Sequence, residues 1–416
     1  MTETIENDPQ LLRKRIDLIN RLGVIGERAN IALICSTIDS RLLLPDASGQ
    51  QGLGLKMTGI QGVGKSHILE SCLKLQPSSV YHYLSTGSDK SFFYLSQSMK
   101  NRAVILVEAF SLERKNDSGF SYVIRSLLSE GRAVHQVTQK SGSGKFQTQN
   151  RTVEGPISLI TTTTRERLEK QIESRMISIS PDESTIQTRQ ILAKTAAIAA
   201  NGTPGIDKKQ IAAWQKFHKT LKPAQVIIPF AQDISSRVVS ASLLPLDARR
   251  SFKRLLSLIK AIAILYQAQR EKNPSDQIIA EVADYHMAYQ ILAEIFEESI
   301  ANQNGTDEKR LQSISPSIPV QMKTLTQQWG VSKNAVSKWL KRFVKDGFIS
   351  WCNQKGKPFP TETALKKAKY AGNAYVLATQ KQQQTLGILL PTAWELANAP
   401  RWKVGGELWS VYDLKL

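Results

Sequence analysis

The stretch Gly59-Ile60-Gln61-Gly62-Val63-Gly64-Lys65-Ser66 decides the fold of this chain. It fits the pattern G-x-x-x-x-G-K-[ST] at every fixed position, between a largely apolar run and a helix-like run that begins at Ser66. Glycines let successive backbone N–H groups turn toward phosphate oxygens, and a helix N-terminus adds its positive end. The sequence therefore predicts a strand, a phosphate loop and a helix that together hold a nucleoside triphosphate.

The fixed residues of this loop have separate expected tasks. The glycines cradle the phosphates with their backbone, Lys65 reaches the β- and γ-phosphates, and Ser66 holds Mg²⁺. ATP and Mg²⁺ are therefore the predicted cofactors. The predicted ATP-binding residues are Gly59, Gly62, Gly64, Lys65, Ser66 and His67.

Length and composition narrow the class of protein. The 416 residues are too many for one ordinary core, and 41% hydrophobic with 22% charged residues is typical of a globular chain rather than a disordered one. No apolar run is long enough to cross a bilayer and the first residues do not resemble a signal peptide, so we expect a cytoplasmic protein without a membrane partner. Cys35, Cys72 and Cys352 are too far apart in sequence to indicate a zinc site.

The net charge of +19 indicates a polyanion as partner. Much of the excess lies in residues 316–381, where eleven Lys and one Arg stand against Asp346 and Glu362. Nucleic acid is therefore the expected partner of this segment.

Apolar runs along the first half of the chain indicate a wound α/β sheet. Leu53–Met57, Ala103–Val107 and Ile157–Ile160 are short and continuous, as buried parallel strands are, and helix-like segments lie between them. Two helices are predicted ahead of the sheet, over residues 9–22 and 27–43. The fold class predicted is therefore a P-loop α/β domain preceded by N-terminal helices.

A polar β-hairpin is predicted over residues 132–153. Its two runs are separated by the turn Lys140-Ser141-Gly142-Ser143-Gly144-Lys145. Lys140, Lys145 and Arg151 are suited to contact a phosphate backbone. The alternative is a solvated hairpin whose lysines only keep its edge soluble.

The last third of the chain has the pattern of a winged helix-turn-helix. Residues 325–346 indicate helix, turn and helix, with Val336, Leu340, Phe343 and Val344 facing inward. Two strands with a turn between them follow. The default partner of such a module is DNA, although many bind protein. The expected DNA-binding residues are Lys333, Lys338, Lys341 and Arg342.

Hydrolysis of a triphosphate needs acidic residues at the end of a neighbouring strand. The strand predicted before Glu108 ends in Val107-Glu108-Ala109, which offers one carboxylate where two adjacent ones are usual. Glu108 is therefore either the residue that orders Mg²⁺, with no base beside it, or the base itself.

Over about residues 10–300 the chain resembles the AAA+ helicase part of replication proteins and primase–helicases of phages, plasmids and integrative elements, a group similar to MCM helicases. The stretches that carry this resemblance are Gly23-Val24-Ile25-Gly26-Glu27, Ser121-Tyr122, Leu127-Leu128-Ser129-Glu130-Gly131, Glu154-Gly155-Pro156, Thr161 to Thr164, Ser174-Arg175, Asp182-Glu183-Ser184 and Gln187-Thr188.

The resemblance implies roles for further residues. Ala109 occupies the position of the second acidic residue of this group, Thr163 is the choice among Thr161–Thr164 for sensing the γ-phosphate, and Arg175 is the arginine finger offered to the next subunit. Arg250 would be the second sensor, with Arg254 as its competitor. A finger that acts across an interface implies a homo-oligomer, by analogy a hexameric ring with the hairpins facing single-stranded DNA.

The leading hypothesis is an ATP-dependent DNA helicase that acts on single-stranded and forked DNA in replication of a mobile element. The alternatives are an ATP-switched initiator or loader that assembles on DNA without unwinding it, and a winged-helix regulator. A separate primase or initiator is a possible partner. The predicted domains are an N-terminal helical segment (1–48), an ATPase core (49–182), a helical lid (183–302), a linker (303–318) and a winged-helix domain with a C-terminal appendage (319–416).

Overall fold

The phosphate-loop strand lies inside a five-stranded sheet whose neighbouring strands are all parallel. This computed structural model describes residues 5–45, 52–84, 98–107, 119–140, 146–155, 157–164, 170–202, 208–239, 248–292, 310–311, 313–345, 347–379, 390–392, 396 and 411–416. The strands of the sheet are β1 (Gly54–Thr58), β2 (Tyr81–Leu84), β3 (Arg102–Leu106), β6 (Ile157–Thr163) and β7 (Met176–Ile179), in the spatial order β2-β3-β6-β1-β7.

Helices cover both faces of this sheet. Val104, Leu106 and Leu159 point to one face, where they share a core with residues of α4 and α5. Side chains alternate between faces along a strand, and α2 contacts β1, β3 and β6. The helices of this part of the chain are α1 (Leu11–Arg21), α2 (Arg28–Asp39), α3 (Lys65–Leu73), α4 (Gly119–Glu130) and α5 (Lys170–Glu173). The predicted α/β class with N-terminal helices is therefore confirmed for the described residues.

The predicted hairpin is an insertion between β3 and β6. Strands β4 (Arg132–Lys140) and β5 (Phe146–Glu154) pair antiparallel from Arg132–Glu154 at the base to Lys140–Phe146 near the tip. The N–H of Gly155 donates to the carbonyl of Gly131, which closes the base of the hairpin. The hairpin therefore leads directly into β6.

Buried charges join the N-terminal helices to the rest of the domain. Asp39 accepts a 2.6 Å hydrogen bond from Arg15 and lies 3.7 Å from both Arg41 and the Nδ1 of His218, all four nearly or wholly without exposed surface. Burial lowers the pKa of Arg41 to about 10, so it remains protonated at neutral pH. Burial, with both arginines nearby, lowers the pKa of His218 well below its usual value. Among the described residues of this group, Asp39 carries the negative charge that faces the two arginines.

Helices predominate after the sheet, as predicted, with two differences. The sequence pattern predicts helices over residues 248–270 and 278–300. Residues 278–279 instead form a short strand paired with Val226–Ile227, in a parallel ladder that buries Ile278 and half-buries Ile279. The helix that begins at Ala248 ends at Leu265 rather than Arg270. The elements are α6 (Thr185–Asn201), α7 (Lys208–Thr220), β8 (Val226–Ile227), α8 (Ala231–Val239), α9 (Ala248–Leu265), β9 (Ile278–Ile279) and α10, of which residues 282–292 are described.

The chain divides into two compact units. The first takes Met1–Ile234, Arg249–Ala293 and Pro391–Leu416, and the second takes Ser235–Ala248 and Glu294–Leu390. The described residues 411–416 thus belong to the first unit, whereas the sequence-based prediction placed them as an appendage after the helix-turn-helix. Leu414 shows the contact, because its N–H donates to Gln290 and its carbonyl accepts from Arg28.

The second unit has a helix-turn-helix followed by an antiparallel sheet. Val336, Leu340 and Phe343 are buried, as their spacing predicts, and the strands order as β10-β12-β11. The sequence predicted only a turn between the last two strands, but a nine-residue helix lies there. The elements are β10 (Val320–Gln321), α11 (Met322–Trp329), α12 (Lys333–Lys345), β11 (Ile349–Cys352), α13 (Glu362–Tyr370) and β12 (Tyr375–Ala378).

In the part of the chain that the structure describes, no helix is long and apolar enough to span a bilayer.

Candidate nucleotide-binding site

The backbone of the loop after β1 has the shape that a phosphate site needs. Gly64, which caps the start of α3, has a φ of 96°, a conformation that strains any residue with a Cβ. Apart from the adjacent residues of the loop, no heavy atom of the described residues lies within 4 Å of the place where a Cβ would stand at Gly62 or Gly64. The loop therefore encloses free space on its phosphate-facing glycines, while Gly59 at its start is close to Val63.

The first turn of α3 completes an anion site. The first N–H groups of a helix lack intrahelical partners and attract anions, and Ser66 and His67 are exposed there. The ammonium of Lys65 lies against the same loop, where it donates to the carbonyls of Gly59 and Ile60 at 2.6 and 2.8 Å. This set of backbone donors, one cation and one hydroxyl fits a triphosphate with Mg²⁺. All six predicted ATP-binding residues thus lie together.

Thr163 lies at the same edge of the sheet as the loop. It is the last residue of β6 and pairs with Thr58, the last residue of β1 before the loop. On its other side β6 pairs with β3, whose Leu106 is level with Thr161. Strand β6 therefore lies between β3 and β1, the strand that leads into the loop. Glu108 and Ala109 follow β3 but lie outside the described residues, as does Lys145.

A turn ahead of α2 borders the site, which the sequence indicated only through the family resemblance. Gly23 approaches His67 so closely that a Cβ would lie 3.5 Å from its ring. Gln187 of α6 donates to the carbonyl of Ile25, and Glu27 accepts from the N–H of Asp182 at 2.8 Å. These contacts join residues about 160 positions apart, so no local signal in the sequence could reveal them.

Arg175 lies at the end of the sheet where β1 begins, whereas the phosphate loop lies at the end where β1 finishes. It precedes β7, whose first residue pairs with Gly54 at the start of β1, and its Nε donates to Ser129 at 2.6 Å. Arg254 of α9 donates to the carbonyl of Ser174, so it lies beside Arg175. Arg250 is exposed one helical turn earlier. The structure thus brings Arg175 and Arg254 together and places Arg175 away from the loop of its own chain.

The predicted DNA-binding residues lie on two separate elements. Arg151 is on β5, opposite His135 of β4, and Lys140 ends β4, although the structure does not describe its side chain. On α12, Lys333, Lys338 and Lys341 are exposed, whereas Arg342 is half-buried with its guanidinium 5.2 Å from the ring of Phe343.

Within the described residues, no group of three or more His, Cys, Asp or Glu side chains could hold a metal ion by itself. Ser66 is the described residue whose hydroxyl is placed to join phosphate oxygens around a divalent cation, as in phosphate-loop proteins generally.

Comparison with known families agrees with this geometry. A family model described as the MTBMA_p00010 P-loop domain matches residues 2–222, which is more than half of the chain. The match includes the loop, the whole parallel sheet and the helices around it. No curated protein matches the chain. The chain therefore belongs to the MTBMA_p00010 P-loop domain family, and it is a nucleotide-binding P-loop protein.

Proposed function

We propose that this chain is one subunit of a ring-forming AAA+, MCM-like motor that uses ATP to move on single-stranded DNA and unwind forked duplex in replication of a mobile element. The observation that carries the proposal is the hairpin, because its second strand continues through Gly155 directly into β6. Strand β6 ends at Thr163 beside the phosphate loop. Two residues thus separate the second strand of a polar hairpin suited to grip DNA from the strand that ends beside the nucleotide site.

Within one subunit, the tasks at the site divide by position. Bound ATP with Mg²⁺ supplies the phosphoryl group and the charge neutralisation that hydrolysis requires. Lys65 and the loop N–H groups hold phosphate oxygens, Ser66 offers its hydroxyl to the cation, and Thr163 is placed to sense the γ-phosphate. Glu108 follows the neighbouring strand and orders either the cation or the attacking water.

The position of Arg175 supports a homo-oligomer, for which we propose a hexameric ring. Its guanidinium and that of Arg254 lie at the edge of the sheet remote from their own loop. A head-to-tail arrangement would bring this edge to the loop of the next subunit, where a cation stabilises charge developing on the γ-phosphate. Arg250, exposed on the same helix, would join it as the second sensor.

The second unit would bind DNA as a winged helix. It presents a helix-turn-helix with exposed Lys333, Lys338 and Lys341 on the second helix, which is the helix that such modules place in the major groove. The lid assigned to residues 183–302 and the linker at 303–318 remain part of this proposal.

A second candidate is an ATP-switched initiator or loader that assembles on DNA without unwinding it. Ala109 favours it, because a methyl group stands where a second carboxylate would activate water. ATP would then be bound and held rather than turned over. In this case Ala109→Glu should raise ATP hydrolysis, and an unchanged rate after that substitution would reject the idea of a trapped state.

A forked-duplex unwinding assay tests the leading proposal. We expect ATP-dependent strand separation that Lys65→Ala abolishes and that Lys140→Gln with Lys145→Gln abolishes without loss of the oligomer in sedimentation. Lys216→Gln with Lys219→Gln, two exposed lysines of α7, is the control for loss of charge. ATP-dependent assembly on DNA without any unwinding, also with Ala109→Glu, would reject the helicase and leave the loader.

A further inference from the structure

Helix α13 occupies the connection between β11 and β12, where the sequence predicted only a turn. Its N-terminus is capped by Thr361, whose hydroxyl accepts the N–H of Ala364. It carries three exposed lysines, Lys366, Lys367 and Lys369. The two helices of the helix-turn-helix do not include this helix, so its three cations form an additional positively charged surface between the two longer strands of the small sheet.

Lys369 is held in a defined place rather than extending freely into solvent. Its ammonium lies 4.0 Å from the centroid of the Trp351 ring on β11, a cation–π contact that orients the side chain. Partial burial lowers the pKa of Lys369, and the charge of Lys341 on α12 lowers it further, against the opposing effect of Glu362. Two like charges on different helices are therefore close enough to repel each other.

The exposed lysines of α12 and α13 lie on the outer faces of the two helices. On α12, Lys338, Lys341 and Lys345 are exposed at helical spacing, opposite the buried Leu340 and Phe343. On α13, Lys366 and Lys369 share a face with Glu362, which pairs with Lys366 at 3.2 Å. Lys367 points about 130° away from the middle of that face at 100° per residue.

We propose that α12 and α13 form one phosphate-binding face for duplex DNA, centred on Lys341 and Lys369. This inference rests on the proposed DNA-binding role of the second unit and adds α13 to it. Trp351 holds the ammonium of Lys369, and Trp351 packs against the same core as Leu340 of α12. The exposed Lys341 of α12 and Lys369 can therefore hold one phosphate between them, which relieves their mutual repulsion. Residues 313–379 carry eleven Lys and Arg against Asp346 and Glu362, so a polyanion is the complementary partner.

Duplex DNA is favoured over other polyanions by the position of the pair. Because the second helix of a helix-turn-helix lies in the major groove, a cation beside it on a neighbouring helix meets the sugar–phosphate backbone that borders the groove. Asn334, exposed on α12, and the half-buried Ser337 remain for the base edges. Helix α13 therefore positions the protein on the duplex without reading sequence.

The test measures binding of the full chain to a fluorescein-labelled duplex by anisotropy, over a series of salt concentrations. Losing one phosphate contact reduces the slope of log K against log salt by about 0.9. If the affinities of the variant and the starting chain are equal at 1 M salt, the variant binds roughly eightfold less tightly at 0.1 M salt. We expect Lys369→Gln and Lys341→Gln each to cause such a loss. Lys367→Gln removes the same charge from the same helix but from another side, so it should change the slope by less than half as much.

The double variant separates a shared phosphate from two independent ones. If Lys341 and Lys369 hold the same phosphate, the two losses are not additive, and Lys341→Gln with Lys369→Gln binds no more than about tenfold less tightly than the starting chain. Lys369→Arg should keep the slope. A Lys369→Gln variant that behaves like Lys367→Gln, or a duplex RNA that binds as tightly as DNA, overturns the inference.

Failure of this inference is distinguishable from failure of the proposed function. A chain that binds DNA, loses affinity with Lys338→Gln and is indifferent to Lys369→Gln keeps its DNA-binding unit and loses only the role of α13. A chain that binds no duplex DNA at all rejects both.

Discussion

The position of Arg175 makes the strongest prediction of this structure. Gly54 is level with Met176, the residue after Arg175, and Thr58 precedes the phosphate loop. At about 3.3 Å per residue, β1 separates these levels by about 13 Å. An extended arginine side chain spans roughly 7 Å, since its six bonds are each about 1.5 Å in a staggered chain. Arg175 therefore cannot reach the γ-phosphate at the loop of its own chain.

Mixing two inactive variants tests this geometry. Lys65→Ala removes the loop cation and keeps the arginine, whereas Arg175→Ala keeps the loop and removes the arginine. In a randomly assembled 1:1 mixture about a quarter of the interfaces combine an intact loop with an intact arginine, so we expect about a quarter of the starting rate of ATP hydrolysis. Should the starting chain turn over too slowly to measure, the same mixture is made in the Ala109→Glu background.

Two controls make the outcome decisive. A chain with both Lys65→Ala and Arg175→Ala, mixed with Lys65→Ala alone, should restore nothing, because no interface then has an intact loop. Pull-down between differently tagged variants confirms that they assemble together. Co-assembly of Lys65→Ala with Arg175→Ala without any recovered hydrolysis would refute the assignment of Arg175 to the neighbour's site.

Two further predictions concern the loop and the buried charges. Gly64→Ala should cost roughly 1–2 kcal/mol of stability through its left-handed backbone and reduce nucleotide affinity more than tenfold, because the new methyl enters the free space of the loop. Gly202→Ala, with φ of 77° and equally open surroundings, is the matched control, and it should leave the affinity measured by calorimetry unchanged. Asp39→Ala should lower the free energy of unfolding of the first unit by about 3–5 kcal/mol, because it leaves two buried arginines unpaired. Asp17→Ala, which removes a partly exposed ion pair with Arg28, should cost less than about 1 kcal/mol; similar losses in denaturant unfolding would contradict the argument.

The local pattern of apolar and polar residues was sufficient to predict the strands whose own residues alternate or form a continuous apolar run. The continuous apolar run before Glu108 became β3, and the alternating run after Arg132 became β4, each within about a residue of its predicted end. The short strand at residues 278–279 was missed because it forms only by pairing with a distant segment, which its own composition does not indicate. Ile278 and Ile279 are an example, since only the distant Val226 and Ile227 turn an apolar pair into a ladder.

The same limit applies to the site. The spacing of Gly59, Gly64, Lys65 and Ser66 identified the phosphate loop, because the chemistry resides in one contiguous stretch. The turn at Gly23 and its contact with His67 depend on how α2 and α3 pack, which no local window contains. Lys369 was not singled out for the same reason, since its importance comes from Trp351 and Lys341 on other elements.

By itself, the sequence determined that this chain binds a nucleotide through a loop between a strand and a helix, and that its excess positive charge is concentrated near its C-terminal end. A phosphate loop is a local backbone conformation, and net charge is a sum over residues, so neither needs the fold. Only the tertiary structure decided that β6 lies between β1 and β3, that Arg175 lies at the end of the sheet away from the phosphate loop, and that Lys369 lies against Trp351. Those facts depend on strand order and helix packing, which bring together residues from distant parts of the chain.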